Sequence, residues 1–171
     1  MSSAGVWIRL KAFTLDYILV FLYLCFILLV TTVLVPGLQN YFTGPLGIAQ
    51  LTGFLLVTLP ISLYFAIGDS ALFNGTFGKR KMRIQAVDRD ERPIGLLRSI
   101  FRIFLKFLPW ELSHFLVYRL VHLGEGEFPL YLMLIGGLIY LLIFAYILSA
   151  IFSKENRSLY DRLSGTKVLQ I

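Results

Sequence analysis

Charge is what this sequence lacks most. Only 15% of its 171 residues are Asp, Glu, Lys or Arg, against 57% hydrophobic, whereas soluble domains carry about 25% charged residues, so composition excludes a water-soluble globule. Cysteine is nearly missing too. The single Cys25 lies inside an apolar run and excludes an internal disulfide framework and any multi-cysteine metal site. Ser149, Ser153 and Cys25 have no histidine nearby in sequence, so no nucleophile has an oriented base beside it. Gly78-Lys79 does not open a phosphate-binding loop, because two residues separate Gly75 from Gly78 where that motif needs four, and Arg80 stands where it needs Ser or Thr. The expectation is a protein that is not an enzyme and takes no cofactor.

Long apolar runs fill the chain instead, and the mean hydropathy is +0.77. Residues 12–35 hold one charge, Asp16, in 24 positions, roughly 36 Å of helix against a hydrocarbon core of about 30 Å. The run is too long for the core of a signal peptide, and no small-residue cleavage pattern precedes Pro36. A second span covers 46–67, with Pro60 as a kink site that neighbouring helices tolerate. A last span covers 130–152, where Gly136 and Gly137 permit close helix contact.

Residues 96–123 are mixed. Arg98, Arg102 and Lys106 recur every fourth position opposite Leu97, Ile100, Phe101, Phe104, Leu105 and Leu108, an interfacial helix pattern that Pro109 ends or bends. Counting from 103 to 123 reaches spanning length if Lys106 snorkels to the surface. Charge placement decides the matter. The connection 36–45 is uncharged, and 124–129 has Glu125 and Glu127 but no Lys or Arg, whereas 68–98 carries Lys79, Arg80, Lys81, Arg83, Arg89 and Arg92, and the tail 153–171 carries Lys154, Arg157, Arg162 and Lys167. Both basic stretches belong in the cytoplasm. An even number of crossings must separate them, so 103–123 spans, both termini are inside, and Arg119 is left near the outer face.

The net charge of +6 therefore records topology and does not call for nucleic acid. Within 68–98, Met82, Ile84 and Ala86 alternate with Arg83 and Gln85, a strand signal, and 166–171 is a second candidate. The two should pair, since each alone exposes an edge. The fold class expected is an all-α membrane protein, one domain over 1–171, with four transmembrane helices, an interfacial amphipathic helix and a small cytoplasmic β layer.

Arg9 before the first span, Asp16 inside it, Thr76-Phe77-Gly78-Lys79-Arg80 leading to Ala86-Val87-Asp88, Arg98 and Arg102 beyond, and the closing run from Tyr160-Asp161-Arg162 to Lys167-Val168 together resemble the RDD family of bacterial and archaeal membrane proteins. The resemblance covers nearly the whole chain and maps the family's arginine and two aspartates to Arg9, Asp16 and Asp161. It implies a prokaryotic plasma membrane. For activity it implies less: most members have none known, and a few exchange sodium or other monovalent cations for protons.

Asp16 is the most informative residue, because a carboxylate central in a span costs roughly 2.5 to 3.5 kcal/mol and normally faces protein or water. It either anchors the first helix to the cytoplasmic layer through a salt bridge or carries protons and cations. Arg9 lies seven residues earlier, about 10 Å along the helix, and Lys79, Arg80 or Arg102 are equal candidates for its partner. Arg9, Asp16 and Asp161 are expected to form one charged cluster with Arg102 or Lys79; Asp69 is placed to pair within Lys79 to Arg83. Glu111 and His114 have the Glu-x-x-His spacing of dimetal sites but lack the second pair, so no metal is expected. Their face continues through Tyr118 to His122.

Two functions stay open. In a cation/proton exchanger, Asp16 would carry the proton and Glu111, His114 and His122 would line the route, with monovalent cations and protons as partners and a homodimer supplying eight helices. In a non-transporting membrane adaptor, Lys79, Arg80, Lys81, Arg98, Arg102 and Lys106 would form a cytoplasmic basic site for a partner protein or anionic membrane lipid, at about 1 kcal/mol per basic residue near the surface. Small size and the lack of internal repeats favour the adaptor.

Overall fold

Uninterrupted apolar sequence gives long helices because nothing within it competes for the backbone. In the computed structural model, which describes residues 2–124 and 127–171, α1 runs Val6–Leu29 and widens into a π-turn over Val30–Leu34. The hydroxyls of Thr31 and Thr32 donate back to the Ile27 and Leu28 carbonyls at 2.9 and 2.7 Å across this widening. The helix thus starts six residues before the apolar run begins, and the expected boundary at 12 moves to Val6. Arg9 and Lys11 are good helix formers, so the charge that ends a hydrophobic run does not end the helix.

After the short turns Pro36–Leu38 and α2, Gln39–Thr43, the chain returns through α3, Leu46–Gly53, a π-turn over Phe54–Thr58, and α4, Leu59–Asp69, as one continuous rod. Proline removes the N–H that would serve the carbonyl four residues earlier. For Pro60 that carbonyl belongs to Leu56, and the Tyr23 hydroxyl of α1 donates to it at 2.7 Å.

The same device operates in α6, a 28-residue helix over Leu96–Leu123 that passes through Pro109 unbroken. Here the orphaned carbonyl is that of Leu105, and the Tyr146 hydroxyl donates to it at 2.6 Å. Tyr146 belongs to α7, Leu130–Phe152. The expected interfacial helix and the expected span at 103–123 are consequently one element, because a neighbour supplies the donor that proline lacks. Among the described residues, three helices are long and apolar enough to cross a membrane: Val6–Leu34, Leu46–Asp69 and Leu130–Phe152. α6 matches them in length but carries more charge. Glu125 lies outside the described residues.

Between α4 and α6 the basic connection folds as α5, Phe77–Lys81, and β2, Ile84–Val87; beyond α7 come α8, Leu159–Leu163, and β3, Lys167–Gln170. β2 pairs antiparallel with β3 in the register Ile84↔Gln170 to Val87↔Lys167. A third strand, β1 at Ser2–Ser3, takes the other edge, so β3 is central. The sheet packs on the start of α1 through Ala4, Ala12, Ile84 and Val168. A second apolar cluster, Val20, Ile61, Phe65, Ala66, Ile103 and Phe107, joins α1, α4 and α6.

Candidate functional site

Charged side chains collect where the helices meet the sheet. Asp161 is the third residue of α8, and its Oδ2 accepts from the Ser158 N–H at 3.2 Å, half of a capping box. The same oxygen accepts from Arg9 Nη2 of α1 at 2.6 Å, while Oδ1 accepts from Arg102 Nη2 of α6 at 2.7 Å. Arg102 extends its other branch to Asp69 at the end of α4, and Asp69 accepts from Lys79 Nζ of α5 at 2.5 Å. Three cations and two carboxylates thus form one chain that ties α1, α4, α5, α6 and α8 together. Its centre is dry: Arg102 is 2% exposed, Asp69 1% and Asp161 0%.

Burial sets the protonation behaviour of the groups outside the helical rods. Burial opposes ionisation of Asp161, yet Arg102 and Arg9 outweigh it and hold the carboxyl down at about 2. Burial also dominates at Lys79, pulling its ammonium below the usual lysine range although Asp69 opposes the change. The Tyr160 hydroxyl, buried beside Asp161, is pushed up.

Asp16 does not join this chain. Its carboxylate, 1% exposed, accepts from the Tyr64 hydroxyl at 2.7 Å, the Thr76 hydroxyl at 2.6 Å and the Gly78 N–H at 2.7 Å. The expected cluster of Arg9, Asp16 and Asp161 is therefore divided, with Arg9 and Asp161 paired and Asp16 held by neutral donors. The anchoring half of the sequence reading fits this geometry with hydrogen bonds in place of a salt bridge. Gly78 makes it possible, since a Cβ there would lie 2.0 Å from the Ala12 carbonyl oxygen. Thr76 was visible within the resembling motif; Tyr64, in an uncharged run, gave no signal.

The residues grouped as a basic site also divide. Lys79 and Arg102 are internal, whereas Arg80 and Lys81 are exposed and Arg98 is half exposed, 3.6 Å from Asp88. Lys106 lines a lateral cavity of about 500 Å³ that Arg9, Asp16, Lys79 and Arg102 also line. Its ammonium lies 4.3 Å from the ring centre of Phe65, 5.3 Å from Phe13 and 5.5 Å from Phe107.

The polar residues of the far half of α6 sit apart from all of these. His114 Nδ1 is 3.8 Å from Glu111 and 3.4 Å from the Thr58 hydroxyl. His122 directs Nδ1 to the Tyr118 carbonyl at 2.8 Å and Nε2 to the Gly44 carbonyl at 3.1 Å; Arg119 reaches Gln50 at 3.0 Å. Along the rod formed by the Phe54–Thr58 π-turn and α4, Thr58 meets His114, Ile61 lies in the apolar cluster, and Tyr64 meets Asp16. The contacts to His114 and to Asp16 are thus about 9 Å apart along this rod by helical rise, with Ile61 of the apolar cluster between them.

Residues 3–165 match the RDD family. The chain belongs to it. No curated protein and no solved structure gives a match. As an RDD protein with apolar helices it is a membrane protein, and the buried ion chain contains two of the three residues to which the family's arginine and aspartates were mapped.

Proposed function

We propose that this RDD protein is a four-span, non-transporting membrane adaptor that holds a rigid basic layer against anionic lipid at the cytoplasmic face. The observation that carries the reading is how its charge is spent. Asp16, Asp69 and Asp161 are saturated inside the protein, whereas Arg80, Lys81, Arg83, Arg89, Arg92 and Arg162 are exposed and have no carboxylate within 4.0 Å among the described residues. Positive charge is thereby left on the surface at about 1 kcal/mol per residue for an anionic membrane. Trp7 and Lys11, stacked at 5.8 Å on the outside of α1, suit the interfacial belt beside it.

Cation/proton exchange is the second reading. Glu111 Oε2 is shielded from solvent without a hydrogen-bond partner among the described residues, a state that leaves room for a proton or cation. The separation of about 9 Å between the His114 and Asp16 contacts, with Ile61 of the apolar cluster between them, argues against a continuous hydrogen-bonded route.

Hydrogen exchange across residues 77–95 decides the first reading when the full chain is embedded in nanodiscs of phosphatidylglycerol or of phosphatidylcholine. Exchange should be slower in phosphatidylglycerol, and changing Lys81, Arg83, Arg89 and Arg92 together to Gln should remove the difference. Equal exchange of the wild type in both lipids sinks the proposal. In sealed proteoliposomes with an internal pH dye, sodium, lithium or potassium pulses should move no more protons than in protein-free vesicles; a flux abolished by Glu111→Gln and by Asp16→Asn would put exchange first.

A further inference from the structure

The lateral cavity contains a lysine that no carboxylate among the described residues pairs with directly. Of the four cations on its wall, Arg9, Lys79 and Arg102 are committed to the carboxylates behind them. Asp16, the carboxylate on the wall, is committed to three neutral donors. Lys106 makes neither a salt bridge nor a hydrogen bond among the described residues, and its three aromatic neighbours ease its burial without neutralising it. An unpaired ammonium in a span is costly, so an anion placed there would recover that cost.

The rest of the wall says what kind of anion. Val6, Leu10 and Phe13 of α1 face Ile147, Ala150 and Ile151 of α7 across the opening. Leu10 is 47% and Ile151 53% exposed, so the cavity is open to the side on which a membrane protein meets lipid. A soluble oxyanion gains nothing from six apolar side chains, whereas an amphiphile uses both parts of the site. The volume of about 500 Å³ accommodates a headgroup phosphate and the first part of a chain, with the remainder in the bilayer.

We propose that this cavity binds one anionic phospholipid, its phosphate on Lys106 and an acyl chain between α1 and α7. The proposal shares with the adaptor reading the choice of anionic lipid as ligand, but it uses a different site, and the two fail separately.

Native mass spectrometry of the delipidated full chain tests it, with phosphatidylglycerol, phosphatidylcholine and inorganic phosphate as probes. The wild type should retain a single phosphatidylglycerol. Lys106→Met should weaken that retention about tenfold, the loss expected for one charged hydrogen bond, whereas Lys106→Arg should keep it. Ile147→Trp, which fills the cavity without touching the charge, should lower retention too, and it carries the test if Lys106→Met does not fold. The surface variant with Lys81, Arg83, Arg89 and Arg92 changed to Gln should still retain that one lipid, because those residues meet a bilayer surface and do not line the cavity. Equal retention of phosphatidylglycerol by wild type and a folded Lys106→Met, or equal retention of phosphatidylcholine, overturns the proposal. Displacement of the lipid by equimolar inorganic phosphate overturns it as well, in favour of a soluble anion.

Discussion

Three elements converge on Asp161, because its two oxygens take donors from α1, α6 and the start of its own helix. A buried carboxylate in that position stabilises the fold only while it is ionised. Its folded value of about 2 lies below the ordinary 3.8, so the stabilisation is complete above the ordinary value and is lost as pH falls through about 2. The difference amounts to about 2 kcal/mol. Thermal unfolding in detergent should therefore show an acid limb between roughly pH 4 and 2 that Asp161→Asn flattens, and at neutral pH that substitution should cost about 3 kcal/mol, because Arg102 and Arg9 are left buried without their shared counter-charge. An unchanged acid limb would show that other carboxylates control it. Asp161 could be located from the sequence but not its degree of burial, since a carboxylate in a tail rich in Lys and Arg reads equally well as solvated. Asp16 gave the opposite difficulty. Spacing directed attention to cations for a partner, whereas the partners are two hydroxyls and an N–H whose positions depend on how α5 folds back against α1.

Prolines inside α4 and α6 show how two elements stay continuous where local sequence argues for a break. In each, the carbonyl four residues before the proline accepts a tyrosine hydroxyl from another helix: Leu56 from Tyr23, and Leu105 from Tyr146. In hydrocarbon such a carbonyl has no water to turn to, so the tyrosine replaces the missing donor. Tyr23→Phe and Tyr146→Phe should each lower thermal stability by about 1 kcal/mol, within the range for a carbonyl left unsatisfied, and should add in the double variant because the sites are independent. A neutral Tyr146→Phe would mean that α6 tolerates Pro109 by another route. Helix existence and the two longer strands were legible in apolar runs and alternation. The unbroken α6 was not, because its continuity depends on a side chain 41 positions away. β1 was missed for a plainer reason: two residues carry no period.

At the scale of the molecule, one sheet gathers three distant parts of the chain. Ser2–Ser3, Ile84–Val87 and Lys167–Gln170 are neighbours in it, so they occupy the same side of any membrane that the chain crosses. Between the first and second strands lie two apolar helices, Val6–Leu34 and Leu46–Asp69, each long and apolar enough to cross, so that the pair suits a passage across and back. Between the second and third lie α6 and α7. If Leu130–Phe152 crosses, as its length and hydropathy suit it to do, α6 must cross as well, or β3 would end on the wrong side from β2. The distribution of Lys and Arg is a separate ground for the proposed four spans, and it supports the proposed direction with the sheet inside. A reporter fused after Ile171 should be cytoplasmic, and one inserted between Leu123 and Pro129 should be outside. An outside signal from the first would reverse the orientation. An inside signal from both would leave α6 on the near side with its charged face, and α7 would then have to lie along the membrane despite having no polar stripe to hold it there.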